Sequence, residues 1–570
     1  MQRREFLQML AAAAAAGLPL SRALAGQGMA SDDFYALPRY GNVHLLHTTD
    51  THAQLLPLYF REPSENIGVG AARNRPPHLV GEHLLKHFDI QADSRNAHAF
   101  SCLDFAAAAQ RYGRVGGFAH LATLIKQLRA ERPGALLLDG GDLWQGSATA
   151  LWTQGQDMVD ASKALGLDIM TGHWEFTLGA DRVRDIIDND LDGQVDFLAQ
   201  NVRDSGFGDP VFEGQSLREV NGVPVAVIGQ AFPYTPIANP SHFVPDWNFG
   251  IRESDLQTQI DTARKAGARV VVLLSHNGMD VDLKLASRVK GLDAIMGGHT
   301  HDGVPEAIKV KNEGGHTLVT NGGSNGKFVG VLDFDVKNGE VKGAQYRLLP
   351  VFSDLLPADR DMAALIESIR APHADKLGET LAVTDGLLYR RGNFNGSFDQ
   401  LILDALMDVK DAEIAFSPGF RWGPSLLPGD EITMEDLMAQ VGITYPATTL
   451  NEMTGERIKF VMEDVADNLF NADPFLQQGG DMVRVGGLEY AISPLAKSGE
   501  RISDMRLGGK PLDPAKTYKV AGWAPVGEGV EGEPIWDVVG NWLRDRKTVS
   551  PGELNQPAVL GLKNNKGLLG

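Results

Sequence analysis

The sequence predicts an α/β protein of two domains, and three observations carry that expectation. Short apolar runs that read as buried strands alternate with segments of helical period, the pattern of a layered α/β domain. Several of these runs lead straight into Asp or His, and sites in such folds lie beyond the carboxyl ends of the strands. From about Leu381 the texture changes and a second set of strand and helix signals begins. The 570 residues are enough for two or three sizeable cores.

The first residues stand apart from the fold. Gln2-Arg3-Arg4-Glu5-Phe6-Leu7 resembles a twin-arginine export signal, followed by an apolar run over 7–20 and the cleavage-type Ala23-Leu24-Ala25. That run is too short to span a bilayer well. Residues 1–25 are expected to be a twin-arginine signal peptide, leaving a periplasmic mature chain with no membrane insertion. The net charge of −20 argues against a nonspecific nucleic-acid binder, which needs a basic surface. The single cysteine, Cys102, allows no intramolecular disulfide and reads as an incidental thiol.

Taken in order, Val43–Thr48 reads as a strand ending in Asp50-Thr51-His52, whose Asp and His fall on one side of extended chain. Residues 57–112 are polar with Pro and Gly and are expected to be a surface excursion beside the site. The 115–130 segment reads as a helix, with Phe118, Leu121, Leu124, Ile125 and Leu128 in helical period. Residues 135–138 form a buried strand running into Asp139-Gly140-Gly141-Asp142, where the glycines let a carboxylate approach a cation. Leu167–Met170 leads into Thr171-Gly172-His173-Trp174-Glu175-Phe176-Thr177. Strands over 223–228 and 270–274 follow, the second ending in Ser275-His276-Asn277. A strand over 292–296 ends in Gly297-Gly298-His299-Thr300-His301, and strands over 317–320 and 328–336 complete the domain. Each motif alone is weak, but five in succession after strands point to a metal centre. Carboxylates and imidazoles in this mixture suit two divalent ions about 3.5 Å apart sharing a bridging Asp142. Residues 350–380 read as a linker with a helix over 362–369, and Arg390-Arg391 as a solvated surface pair.

These motifs resemble those of the calcineurin-like metallophosphoesterases, in the 5'-nucleotidase branch. The resemblance implies a four-layer αββα metallophosphoesterase-like sandwich over 38–345, a linker over 346–380, and a C-terminal α/β 5'-nucleotidase-like domain over 381–550. Asn321–Gly330 resembles the family's Gln-x-x-x-x-Gly-Lys segment. In the second domain the marks are Gln400–Met407, Ser417-Pro418-Gly419-Phe420-Arg421-Trp422-Gly423, Glu431-Ile432-Thr433 and Met453-Thr454-Gly455-Glu456. The resemblance places one metal on Asp50, His52, Asp142 and His301. It places the other on Asp142, His173, His276 and His299, with His173 where the family has Asn. Arg421 is implied as an oxyanion or carboxylate clamp; Phe420 and Trp422 are implied either to stack on substrate or to pack a core.

Where the family carries a catalytic His and its Asp partner, this chain has Trp174 and Thr177. The Gly-His-Trp-Glu-Phe-Thr run, the export signal and Gly479-Gly480-Asp481-Met482 are similar to the thiosulfohydrolases (sulfate thiol esterases) of periplasmic thiosulfate-oxidising Sox systems. That resemblance implies two manganese ions and a SoxYZ-like carrier protein presenting a cysteine S-thiosulfonate on a flexible arm. Sulfate is released by hydroxide formed at the metals, with Trp174 and Arg421 as the non-ligand active-site residues. Trp174 either shapes a pocket for sulfur or fills the space of the missing His. Two other readings stay open: a periplasmic 5'-nucleotidase or related phosphoesterase, and a non-catalytic metal-stabilised binding protein. Seven intact ligand-type side chains speak against a decayed site.

Overall fold

The computed structural model describes residues 34–569, so the expected signal at 1–25 lies outside the described residues. The first domain is built on two six-stranded sheets. One has the order β12-β11-β1-β2-β3-β4, with β1 Val43–Thr48, β2 Leu136–Asp139, β3 Ile169–Met170, β4 Asp196–Phe197, β11 Phe328–Lys337 and β12 Glu340–Pro350. The other has the order β9-β10-β8-β7-β6-β5, with β5 Gln215–Val220, β6 Val223–Gln230, β7 Val270–Ser275, β8 Ala294–Gly297, β9 Ile308–Asn312 and β10 Gly315–Asn321. β1 to β4 are parallel, as are β6, β7, β8 and β10; antiparallel β5, β9, β11 and β12 lie at the margins.

Alternation of side chains along the strands makes four layers. Leu45, Leu138 and Leu332 face Val225, Val272 and Met296 of the opposite sheet in one shared core. Leu46 and Leu137, one residue on or back, point outward against helix α1 (Phe118–Glu131) and helix α2 (Gln156–Leu165). Ile228, Leu273 and Ile295 point outward against α3 (Glu253–Lys265) and α4 (Met279–Arg288). This is the expected αββα sandwich. α1 starts at Phe118 rather than 115, because Gly116 and Gly117 take positive φ of 73° and 83° and hold the chain out of helix.

Two stretches differ from the expectation. Residues 57–112 are not a surface excursion. Phe60, Ala99, Phe100 and Tyr112 enter the shared core of the sheets, Ile67 and Val69 enter the core of the second domain, and Lys327 pairs with Glu62 at 2.7 Å. The segment looks polar because its apolar residues are spaced without period and divided between two cores. Residues 346–380 include the end of β12 and helix α5 (Arg360–Arg370), whose Met362 and Ile366 are buried against the α1–α2 side of the first domain. The second domain packs helices α6 (Ser397–Lys410), α7 (Met434–Val441), α8 (Gly455–Phe470) and α9 (Ile535–Arg546) around short mixed sheets. Its strand pairing runs past 550, since Ala558–Val559 pairs with Leu488–Ile492. Among the described residues no helix is long and apolar enough to cross a membrane.

One buried charge group ties the first domain together. The fully buried Arg132, just past α1, donates from Nε to both carboxylate oxygens of Asp333 on β11 at 3.2 and 3.1 Å, and from Nη2 to Leu37 O. His44 Nδ1 of β1 lies 2.8 Å from the same carboxylate. Removing one partner leaves the other buried and uncompensated. Arg132→Leu should cost about 3–5 kcal/mol of stability, measured by denaturant unfolding of the first transition. Arg132→Leu with Asp333→Leu should recover most of that loss.

Candidate metal centre

Five strand ends converge on one pocket. Asp50 and His52 follow β1, Asp142 follows β2, His173 follows β3, His276 follows β7, and His299 and His301 follow β8. The structure brings all seven together as two groups that share Asp142: Asp50, His52, Asp142 and His301; and Asp142, His173, His276 and His299. Within each group the ligand atoms lie within 4.8 Å of one another, and every member is buried. Asp50, His52, Asp142, His299 and His301 have φ between 46° and 72°. Non-glycine residues avoid that region unless surrounding structure holds them there, and such strain gathers at functional sites.

The surrounding atoms explain how they are held. Glu175 is fully buried, and its carboxylate accepts the backbone N–H of His173 at 2.7 Å, of Leu143 at 2.6 Å and of Asp142 at 3.3 Å. It thus fixes the β2 and β3 loops in one register. Burial, with the Asp142 charge added, raises the Glu175 pKa. Asp50 accepts the N–H of His299 at 3.0 Å and the hydroxyl of Thr49 at 2.5 Å, joining the two sheets at the site. His276 Nδ1 lies 2.6 Å from Gly140 O, so this nitrogen is the donor and Nε2 faces Asp142 at 3.1 Å.

The donor set fits divalent cations. His52 Nε2 lies 3.1 Å from His301 Nε2, and His173 Nδ1 lies 3.1 Å from His276 Nε2. Two ring nitrogens this close either share one N–H between them or, with the proton on the other nitrogen of each ring, both turn lone pairs toward a shared cation. Burial holds His52 down at about 4 and His299 and His301 well below the ordinary imidazole range, so these rings are neutral and ready to bind. The site is a dinuclear metal site of borderline N/O ligands.

Trp174 is buried beside the site, and its backbone N–H donates to Asp142 at 2.8 Å. Its indole stacks parallel to Tyr445 at 5.9 Å and meets Trp422 and Phe420 edge-on at 5.0 and 5.3 Å. The Thr177 hydroxyl turns back to donate to Trp174 O at 2.7 Å. Trp422 is also buried and stacks on His52 at 4.6 Å, while Phe420 stacks on Trp422 at 4.3 Å. These rings pack on a ligand and on one another.

Arg421 reaches across the domain boundary, donating to His299 O at 3.3 Å and to Gly480 O, and lies 3.5 Å from Asp481. It lines a cleft of about 60 Å³ with His299, Arg391, His78 and Gly479. Arg390 and Arg391, expected as a solvated pair, are buried. Arg390 pairs with Asp399 at 3.0 Å; Arg391 donates to Thr300 O and lies 3.6 Å from Asp481 and 3.8 Å from Asp302. Asp399 is close to Arg390 in sequence, but Asp481, Asp302 and Thr300 come from distant segments, which sequence spacing does not reveal. Sequence reading also missed His78, whose two ring nitrogens face Asp280 at 2.9 Å and Asn66 Oδ1 at 3.0 Å. For Glu175 a signal was present, in its fixed place two residues after His173.

Fold and site together define a two-domain hydrolase whose ligand groups fit a pair of cations. Residues 380–538 match the 5'-nucleotidase C-terminal domain. The solved sulfate thiohydrolase SoxB of Thermus thermophilus is 37% identical, covers 93% of this chain and 98% of its own, and superposes with a TM-score of 0.88. A 5'-nucleotidase precursor of the same organism shares the fold at 21% identity, with a TM-score of 0.72 over 92% of this chain and 100% of its own. The 5'-nucleotidase of Bos taurus is 25% identical across 71% of this chain and 76% of its own length. The chain belongs to the 5'-nucleotidase family of hydrolases, and within it is similar to SoxB.

Asp142→Ala removes the only residue shared by the two ligand groups. It should leave the circular dichroism spectrum intact while bound divalent metal falls from two per chain to one or none, measured by elemental analysis after dialysis.

Proposed function

We propose that this chain is a periplasmic thiosulfohydrolase that releases sulfate from a cysteine S-thiosulfonate presented by a SoxYZ-like carrier, with manganese as the metal. The observation that carries this reading is the pair Trp174 and Thr177. In a phosphoesterase the leaving group is an alkoxide, and a positioned acid contributes about 10²–10⁴-fold. An indole does not titrate, and the Thr177 hydroxyl is committed to a backbone carbonyl. The site therefore suits a leaving group that departs as an anion unaided. A persulfide is such a group. Two divalent ions, when bound, acidify a water and neutralise the oxygens of a tetrahedral oxyanion.

In the proposed reaction, R–S–S–SO₃⁻ and water give R–S–S⁻, sulfate and two protons. The bond between sulfane and sulfonate sulfur breaks, its electron pair leaves with the persulfide, and the new oxygen comes from water. Arg421 lines the cleft and supplies a fixed positive charge toward the anionic group. Trp174, Trp422 and Phe420 form an apolar wall on the His52 side of the metal ligands, apart from the lining of that cleft, and suited to sulfur. Phe420 and Trp422 are closed against each other at 4.3 Å, which leaves no slot for a nucleobase between them. Similarity to SoxB over nearly the whole chain supports the same reading.

Turnover of a carrier-borne thiosulfonate, followed as sulfate release, should exceed hydrolysis of AMP by about 10²-fold or more. Trp174→His combined with Thr177→Asp should gain phosphoesterase activity and lose thiosulfonate turnover. Efficient AMP hydrolysis by the unmodified protein, with no sulfate released, would overturn the proposal in favour of a 5'-nucleotidase.

A further inference from the structure

The segment 471–481 leaves α8 of the second domain, crosses to the first domain and returns. Its outward half is latched on the first domain. Phe475 packs against the α3–α4 core of the second sheet, Lys284 of α4 sits 4.0 Å over its ring, and the Tyr234 hydroxyl donates to its carbonyl. Lys284 also pairs with Asp473 at 2.5 Å. The returning half runs against the metal ligand His299. Gly479 packs so closely on the ring of His299 that any side chain there would collide with Nε2. Gly479 and Gly480 take φ of 78° and 79°, and Arg421 holds the carbonyl of Gly480. Asp481 N–H then donates to Gly419 O at 2.9 Å, back in the second domain.

Under this strap the cleft of about 60 Å³ has room for a few waters but not for a peptide. Its wall includes His299, Arg421, Gln477, Gly479 and Gly480. We propose that residues 471–481 are a gate over the metal cleft, latched to the first domain through Phe475 and Asp473 and hinged at Gly479–Gly480, which lifts to admit a substrate carried on a peptide. The substrate class rests on the reaction proposed above; the gate itself rests on the strap's geometry. The gate is a specificity element. It sets what size of molecule reaches the cations, and its latch residues touch neither cation nor substrate. Tyr234 and Lys284 lie on the first domain, so breaking them frees the strap without altering the ligand loops.

Two measurements test it. Hydrogen exchange on the metal-loaded protein compares wild type with Tyr234→Phe/Lys284→Ala. Exchange at the amides of Leu476 and Gln477, which are bonded within the strap, should rise about tenfold, while β7 stays unchanged. No change in the strap, or equal acceleration in β7, overturns the gate. In the second, Lys284→Cys/Asp473→Cys is bridged by a short bismaleimide and compared with the same variant capped singly by N-ethylmaleimide; the buried Cys102 is shielded. At equal metal content, bridging should lower turnover of the carrier-borne thiosulfonate about tenfold or more. Unimpaired turnover in the bridged protein overturns the gate. If even wild type releases no sulfate, the reaction proposal fails and the exchange measurement alone decides for or against the gate.

Discussion

Seven ligand side chains share one buried pocket, and burial penalises every charge there that lacks a matching one. The structure around the pocket answers that constraint. Parallel strands from both sheets deliver the ligands from one end of the sandwich. The left-handed residues after β1, β2 and β8 turn Asp50, His52, Asp142, His299 and His301 inward immediately past the strand ends. Glu175 and Asp50 spend their carboxylates on backbone N–H groups of neighbouring ligand loops. A displacement of one loop therefore moves ligands on another. Two cations fit the arrangement, because each ligand group gathers carboxylate and imidazole donors close enough to share one ion.

The same constraint reaches into the second domain. Arg484 pairs with Asp399 at 3.0 Å and Asp481 at 3.2 Å, Arg390 with Asp399, and Arg391 and Arg421 with Asp481, all buried or nearly so. Arg391 and Arg421 donate onward to the carbonyls of Thr300 and His299 in the first domain. The ligand loop after β8 is therefore gripped by two arginines of the second domain. The cleft lining itself sets Arg391, Arg421 and His78 beside Asp280, Asp302 and Asp481, so its fixed charges are mixed rather than of one sign.

Much of this was legible in the sequence, for identifiable reasons. Strands such as Val270–Ser275 are short, apolar and bounded by polar residues, so periodicity finds them. The ligands follow those strands directly, so the five motifs locate the site before any packing is known. The insertion at 57–112 was not legible, because Ile67 and Val69 are buried only by a domain that begins more than three hundred residues later. Arg390 and Arg391 look like surface charges for the same reason: Asp399 is close in sequence, but Asp481, Asp302 and Thr300 are not. Phe420 and Trp422 were ambiguous between substrate stacking and packing. A residue's neighbours bear on that, and here Trp422 lies on the ligand His52 while Phe420 lies on Trp422 and Trp174.

The aromatic wall shows how replacing two residues changes the chemistry available while the metal ligands stay in place. An imidazole at position 174 would need a polar partner in this pocket, and an Asp at 177 would supply it. With indole and threonine instead, the site keeps the backbone N–H that holds Asp142 and loses its titratable pair. The vacated polarity is replaced by Tyr445, Trp422 and Phe420 packed around the indole. Such a wall lowers the local dielectric, strengthening the attraction between any bound anion and the cations or Arg421. It also leaves positions 174 and 177 without a titratable side chain to protonate a leaving atom. Both effects favour a soft, acidic leaving group over an alkoxide, so the departure from the family pattern at Trp174 and Thr177 is coherent with everything packed against it.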